Sequence, residues 1–341
     1  MKPSKEAVLF VNTFFQKPLS KSELIANSGS NRKYFRISIE NITYILTENN
    51  NIDENKSYFY LADLFYKSNI KVPKLVSFNQ EQTIYIQEDI GDESLLNFKE
   101  NKGYSDEVFE MYKKSVKQLT QLQTSLKNKI NYEKCYDFQQ FDEKLVLNDM
   151  FYCKDFFIER LDFPYKKAAL IDDFIHISKQ IQELPNEYFL YRDFQSRNIF
   201  IKNESPFFID FQGGMKGFLC YDLVSLLWQA KANLPMEWKE KLKEIYFNEI
   251  ISTEKISIQS LEKSYKISLI LRIFQLMGAY GLRGLVERKA HFLDSILLNI
   301  NNIKYLLDEN YLNDFPELKR ISTYIVSKGG TKRINEIIQK K

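Results

Sequence analysis

The sequence predicts an α+β protein in which a small antiparallel sheet near the N-terminus precedes a larger, mainly helical part. Strand-like runs are concentrated before residue 90, whereas apolar residues at three- and four-residue spacing dominate after residue 105. The chain has 341 residues, 44% of them hydrophobic, which suits two modest domains or one large two-lobed one. We therefore expect an N-terminal domain at residues 1–90 and a helical C-terminal domain at residues 91–341.

The first part of the chain alternates helix and strand signals. An amphipathic helix at 4–16 is followed by a turn-forming cluster at 27–31. Glu40-Asn41 is predicted to form a hairpin turn between the strand-like runs 34–39 and 43–46. A helix and two further strands are predicted at about 55–67, 75–78 and 83–87. This order predicts an antiparallel sheet with one helix on it.

The second part is predicted to be helical with one β island. Its helical periods lie at about 105–126, 140–158, 168–183, 222–232, 236–250, 258–285 and 290–308. The island at 188–210 is predicted to be a hairpin, with strands at 198–201 and 207–210 around a turn at 202–206. A hairpin of this kind returns the chain to the place where its first strand began.

Composition excludes several classes of protein. Against 48 Lys and Arg stand 45 Asp and Glu, and a net charge of +3 disfavours a polybasic nucleic-acid or membrane-surface protein. The stretch 267–286 is apolar, but Arg272 and Arg283 interrupt it, so a buried helix is the better interpretation. The three scattered cysteines are read as reduced thiols, and two histidines cannot form a His-rich metal site. Without a signal peptide, we expect a cytoplasmic protein with no nucleic-acid or membrane partner.

The strongest chemical signal is the run Tyr191–Asn198, which reads YRDFQSRN. Phosphoryl transfer needs a carboxylate that orients an acceptor hydroxyl and takes its proton, and Asp193 would supply it. It also needs hard oxygen ligands for Mg²⁺ on nucleotide phosphates, which Asn198 and Asp210 would supply once the hairpin brings them together. The alternative is that these are ordinary loop residues, because Asp and Asn favour turns regardless of function.

The run resembles the catalytic and metal-binding motifs of the aminoglycoside phosphotransferase and choline kinase superfamily, which shares the protein-kinase-like fold. The details are most similar to bacterial kinases of N-acetylmuramate and N-acetylglucosamine: Arg-Asp before the loop, Asp-Phe-Gln at 210–212, and GSNRKYFR at 29–36. Tyr191 departs from the pattern, since relatives usually carry His there. The resemblance implies a bilobal fold with a nucleotide-binding N-terminal lobe, Asp193 as catalytic base, and ATP and Mg²⁺ as cofactors.

The same resemblance implies nucleotide contacts in two segments. The early turn and the strand after it would cradle phosphates, with Gly29, Ser30, Asn31, Arg32 and Arg36 as candidates. The strand end would be the hinge, where Gln87 and Asp89 bind adenine through backbone groups. The strand at 43–47 lacks the Lys with which kinases hold phosphates, so Arg32, Lys33 or Arg36 would supply that charge, or nucleotide affinity would be weak.

Among the possible functions, a small-molecule kinase is favoured. Only eleven residues lead from Asp210 to the predicted helix start at Tyr221, which is too short for the peptide-binding activation segment of a protein kinase. A non-catalytic regulatory module is disfavoured because Asp193, Asn198 and Asp210 are all present. The resemblance makes Asp222 a structural acid that supports the catalytic loop.

The acceptor is predicted from weaker signals. Arg197, Gln212 and Asp149 are candidate contacts to a small-molecule sugar, with surface ion pairs or a solvated helix face as the alternative. The sugar-kinase-like details favour an N-acetylated amino sugar. An aminoglycoside is the alternative acceptor, but a polycationic drug would require more carboxylates than this helical part conspicuously carries.

Overall fold

The computed structural model describes residues 1–25 and 32–339 and confirms the predicted fold class, an antiparallel N-terminal sheet followed by a larger helical part. The strands are β1 (Lys21–Ile25), β2 (Lys33–Ile39), β3 (Ile42–Glu48), β4 (Leu75–Phe78), β5 (Ile84–Glu88), β6 (Tyr188–Leu190), β7 (Ile199–Lys202), β8 (Ser205–Phe208) and β9 (Met215–Gly217). The helices are α1 (Lys5–Phe15), α2 (Ile52–Lys67), α3 (Leu95–Lys102), α4 (Asp106–Ser125), α5 (Glu143–Phe156), α6 (Lys167–Gln182), α7 (Tyr221–Leu227), α8 (Met236–Thr253), α9 (Ile258–Tyr280), α10 (Ala290–Asp308), α11 (Pro316–Val326) and α12 (Lys328–Gln339).

Two compact units make up the chain. The first comprises 1–139 and 191–215, and the second comprises 140–190 and 216 onward. The partition differs from the expected boundary after residue 90, because the first unit also contains α3, α4 and the hairpin β7–β8. The boundary after residue 90 stays a prediction about the two lobes.

The N-terminal sheet has the strand order β1-β2-β3-β5-β4. The hairpin between β2 and β3 turns at Glu40-Asn41, as predicted, with Ile39 opposite Ile42 and a left-handed Glu40 at φ 55°. Strand β1 is not predicted by the sequence pattern, because it is an edge strand that is mostly exposed and has no regular apolar alternation.

The two faces of this sheet have different partners. One face packs on α1, where Ala7 and Val11 contact a buried apolar cluster that includes Phe35 and Leu46. Because successive side chains of a strand point to opposite faces, the residues between these apolar ones lie on the other face of the sheet. They are Tyr34 and Arg36 on β2, Ile45 and Thr47 on β3, and Tyr85 and Gln87 on β5, in facing register.

Helix α2 begins with a side-chain cap. The Asn51 side chain accepts a hydrogen bond from the Glu54 backbone N–H, which satisfies one of the free donors of the first turn. Asp53 and Glu54 lie in that turn, where negative charge is favoured by the helix dipole. The cap and the dipole therefore fix the first turn of α2, and with it the Glu54 carboxylate.

The β island is a shorter hairpin than predicted. Lys202 pairs with Ser205, so the turn contains only Asn203 and Glu204, at φ 50° and 54°, and the predicted turn at 202–206 is too long. Two consecutive left-handed residues are the geometry that matches strand twist in a two-residue hairpin, and Asn tolerates it well.

The second unit is built around α9. One stretch of the described residues, Ile258–Val286, is long and apolar enough to cross a membrane, but 67% of its most apolar window is buried inside the protein. This agrees with its interpretation as a core helix. Helix α7 ends at Leu227, earlier than the predicted 232, and α3, α11 and α12 are additional to the predicted helices. The three cysteines, Cys135, Cys153 and Cys220, are free and buried.

Candidate active site

The loop at residues 191–198, directly before β7, is held in place by a hydrogen bond at its start. The buried Tyr191 hydroxyl donates to the Ile209 carbonyl, which ties the start of the loop to the end of the hairpin. Arg192 has φ 78°, a backbone conformation that residues other than glycine rarely adopt. Tyr191 thus supports the start of the loop.

Asp193 accepts hydrogen bonds from side chains of its own loop. Gln195 Nε2 lies 2.7 Å from Asp193 Oδ1, and Arg197 Nη2 lies 2.8 Å from Oδ2. Asn198 Nδ2 donates to the Asp193 carbonyl oxygen at 2.9 Å. The two side-chain bonds orient the Asp193 carboxylate within its own loop.

Asn198 connects the loop to the hairpin. Its amide nitrogen bonds to Asp193, so Oδ1 is the side-chain atom available as an oxygen ligand. Its carbonyl oxygen accepts the Ile209 backbone N–H at 3.0 Å, which brings the residue before Asp210 to the base of the hairpin. Asn198 is 8% exposed, so this connection is sheltered from water.

Asp210 occupies a left-handed backbone position at φ 67°. Its Oδ1 accepts hydrogen bonds from Arg32 Nη2 at 3.0 Å and Gln212 Nε2 at 2.8 Å, and neither bond uses Oδ2. Among the described residues, no cluster of three or more His, Cys, Asp and Glu side chains could hold a metal ion. An amide and a carboxylate oxygen still suit Mg²⁺, which usually takes its remaining ligands from phosphates and water.

Arg32 links Asp210 to helix α2. Its Nη2 also lies 3.7 Å from Glu54 Oε1, and its side chain is only 13% exposed. Burial lowers the pKa of the Arg32 guanidinium, but the charges of Tyr34, Asp210 and Glu54 outweigh that effect and raise it overall. Glu54 was not among the residues predicted from the sequence, although two acidic residues directly precede the predicted helix.

The segment after β5, the predicted hinge, is held by two sets of ion pairs. Arg36 Nε lies 2.6 Å from Asp89 Oδ2, and Arg36 Nη2 lies 2.7 Å from Asp92 Oδ1. Lys202 Nζ lies 2.6 Å from Glu88 Oε1 and 3.1 Å from the Asp89 carbonyl oxygen. Burial raises the pKa of the Asp89 carboxyl, but hydrogen bonds from Arg36 and from a backbone N–H lower the pKa by more. The net shift of the pKa is therefore downward.

A cavity of about 510 Å³ in the first unit brings these groups together. Eight of the predicted site residues line it: Arg32, Arg36, Gln87, Asp89, Arg197, Asn198, Asp210 and Gln212. Asp193 is bonded to two of them. Apolar side chains of Ile45, Ile90 and Phe200 complete part of the wall.

Four predicted site residues remain, and the structure describes one of them. Gly29, Ser30 and Asn31 lie outside the described residues. Asp149 lies on α5 in the second unit and is 4% exposed. The predicted roles of these four residues stay predictions.

Comparison with known proteins identifies the class. The model of the phosphotransferase enzyme family, APH, matches residues 22–254, and the chain belongs to that family. No curated protein matches the sequence at a significant level. Similar solved structures include an ADP-bound aminoglycoside phosphotransferase, with a TM-score of 0.58, 14% identity, and coverage of 87% of this chain and 97% of that one. Spectinomycin phosphotransferase with ADP and spectinomycin has a TM-score of 0.58 at 13% identity, covering 87% and 94%.

An ethanolamine kinase from Plasmodium vivax is also similar, with a TM-score of 0.54 at 14% identity, covering 82% of this chain and 81% of that one. At these identities the structural likeness shows the fold. With the family match, it confirms the predicted superfamily and the enzyme class: the protein is a phosphotransferase acting on an alcohol group, a small-molecule kinase. The finer relationship to N-acetylmuramate and N-acetylglucosamine kinases stays a proposal.

Proposed function

We propose that the protein transfers the γ-phosphoryl group of ATP to a hydroxyl of an N-acetylated amino sugar in the cytoplasm. The observation that carries the proposal is the connection of Asp193, Asn198 and Asp210 beside a cavity that Gln87 and Asp89 also line. Three residues with side-chain oxygens, linked through backbone hydrogen bonds in this way, would supply a base and two metal ligands.

The cavity suits a nucleotide. Its volume of about 510 Å³ lies in the range of small-molecule sites, and its apolar wall suits an adenine ring. Backbone groups of Gln87 and Asp89 would bind the adenine edge. Asn198 and Asp210 would hold Mg²⁺, which neutralises phosphate charge when bound. Solved relatives that contain ADP support this assignment.

Asp193 would orient the acceptor hydroxyl and accept its proton as the phosphoryl group is transferred. The bonds from Gln195 and Arg197 hold the carboxylate in one orientation, so little reorganisation is needed during the reaction. Such a site accelerates transfer mainly by positioning and charge stabilisation, and it requires no covalent intermediate on the enzyme.

The acceptor class follows from the charge beside Asp193. The Arg197 side chain is 50% exposed and lines the cavity next to the proposed base. Because Arg197 is ion-paired with Asp193, this part of the cavity has no net negative charge to attract a polycationic aminoglycoside, which favours a neutral or anionic sugar. This supports the amino sugar over the aminoglycoside, although solved relatives of this fold include aminoglycoside phosphotransferases.

The test is a screen of acceptor-dependent ADP release with MgATP. Amino sugars, aminoglycosides and choline-like alcohols are compared, with the Asp193→Asn variant as the blank. This variant should fold and bind MgATP but lose turnover by about 10²- to 10⁴-fold, the usual contribution of a general base. Asp63→Asn, the same change on an exposed part of α2, should behave as the wild type.

Each outcome has a defined meaning. A signal confined to amino sugars supports the proposal, whereas one confined to another acceptor class refutes the acceptor. Near-wild-type activity of Asp193→Asn refutes the base assignment. Silence with every acceptor, together with no nucleotide binding, favours a non-catalytic module.

A further inference from the structure

Strand β3 brings no positive charge to the cavity. Its cavity face carries Ile45 and Thr47, opposite Arg36 and Tyr34 on β2. In protein kinases the corresponding strand supplies a Lys to the nucleotide phosphates, and a Glu on the neighbouring helix holds that Lys. A small-molecule kinase built on this sheet must therefore take its phosphate cation from another element.

Arginines from two other segments of this unit line the cavity beside Arg32. Arg36 makes four hydrogen bonds to the Asp89 and Asp92 carboxylates, which bind its side chain to the predicted hinge. Arg197 is paired with Asp193 at 2.8 Å. Arg32 differs from both, because it bonds at 3.0 Å to Asp210, the proposed metal ligand.

Glu54 is fixed where it can hold Arg32. Its Oε2 accepts a hydrogen bond from Asn49 Nδ2 at 2.8 Å, and Asn49 is itself buried and bonded to Asn55. Its other oxygen, Oε1, lies 3.7 Å from Arg32 Nη2 and 3.5 Å from Gln212 Nε2. The carboxylate is therefore oriented toward Arg32 from the first turn of α2.

We propose that Arg32 is the nucleotide phosphate anchor in place of the strand lysine, and that Glu54 is its positioning residue. The inference rests on the proposed function, since it assumes a nucleotide in this cavity. A guanidinium has five N–H donors, so Arg32 can keep its bond to Asp210 Oδ1 and still donate to phosphate oxygens. The helix glutamate keeps its usual role, while the cation comes from the residue before β2.

The test compares ligands with and without phosphates. Binding of adenosine, ADP and ATP is measured by calorimetry with Mg²⁺ on the wild type and on Arg32→Ala, Arg32→Lys and Lys33→Ala. Loss of a charged hydrogen bond should weaken ADP and ATP binding to Arg32→Ala by about tenfold to a hundredfold and leave adenosine unchanged. Arg32→Lys should retain part of the affinity. Lys33→Ala removes the same charge from the exposed neighbouring residue and should bind as the wild type.

Other results overturn the inference. An equal loss of adenosine affinity would mean general damage to the cavity, and unchanged ADP and ATP affinity would mean another anchor. Glu54→Gln should weaken ADP binding when it is introduced into the wild type, but it should cause little further loss of affinity in Arg32→Ala. If the two substitutions weaken ADP binding independently and additively, the positioning role of Glu54 is refuted. Wild-type protein that binds none of the three ligands would refute the proposed function itself.

Discussion

At the scale of single residues, left-handed backbone conformations mark both segments of the candidate site. Arg192 and Asp210 have φ of 78° and 67°, and each is next to a residue of the Tyr191–Ile209 hydrogen bond. Such conformations are costly for residues other than glycine and persist only where surrounding contacts impose them. The bond between Tyr191 and Ile209 is such a contact, because it fixes both segments at once.

Asp89 gives a residue-scale prediction about stability and pH. Asp89→Asn should lower the free energy of unfolding at pH 7 by about 1–2 kcal/mol, because it removes the charge that Arg36 binds. The folded pKa of Asp89 is below its unfolded value of about 3.9, so its contribution is complete above that pH and is lost as pH falls through the folded pKa. Urea unfolding should show a constant difference between wild type and variant from pH 7 to about pH 5, and a smaller one below about pH 4.

The matched control for Asp89 is Asp92→Asn. Asp92 bonds to the same guanidinium but is 77% exposed, so its loss should cost less. Two results would contradict this account of the hinge. One is a difference in the free energy of unfolding between wild type and Asp89→Asn that grows as the pH falls, and the other is a larger loss of stability in Asp92→Asn than in Asp89→Asn.

At the scale of elements, glycine allows α5 and α9 to approach closely. A Cβ atom added at Gly278 would lie 2.6 Å from Tyr152 Cδ1 and 2.8 Å from the Cys153 backbone nitrogen. Gly278→Ala should therefore lower the free energy of unfolding by about 1–3 kcal/mol through overpacking, measured by urea denaturation. Gly329→Ala on α12 is the control, because its added Cβ has no neighbour closer than 3.8 Å. Its stability should match or exceed that of the wild type, and equal losses in both variants would contradict the packing explanation.

Elements with a local signal were predictable, and the exceptions have physical reasons. Helix periodicity and the Glu40-Asn41 turn are properties of adjacent residues. The turn and most helices were located correctly, although α3, α11 and α12 were not predicted. Edge strand β1 lacks an apolar face, so it has no signal of this kind. The hairpin turn at Asn203-Glu204 was placed too broadly because Pro206 reads as a turn residue, whereas it lies in β8 opposite Ile201.

At the scale of the whole molecule, the residues of the site were also predictable only where they leave a local signal in the sequence. The spacing of Asp193 and Asn198 is local and was readable. Lys202 was missed because its partner Glu88 is 114 positions away. The acidic residues at the start of α2 are a local signal, but the position of Glu54 beside Arg32 is not. The choice of Arg32 among three candidate cations likewise depends on Asp210, 178 positions away. Long-range pairing of this kind becomes visible only in the folded chain.

The position of the cavity leads to a prediction about hydrogen exchange along the chain. Every described residue that lines the cavity belongs to the first unit. Because a ligand that binds the native state suppresses local opening where it binds, MgADP should slow hydrogen exchange at residues 32–48, 84–92 and 196–212. Helices α8 to α12 of the second unit should exchange as in the free protein.

Asp193→Asn makes this hydrogen-exchange measurement specific. The variant should retain the protection pattern while turnover is lost, because Asp193 is assigned to the acceptor and not to the nucleotide. Protection by MgADP that is confined to the second unit, or absent at saturating ligand, would place the nucleotide elsewhere. Loss of the protection in Asp193→Asn would instead mean that this carboxylate supports nucleotide binding, since a general base that contacts only the acceptor leaves ADP binding unchanged.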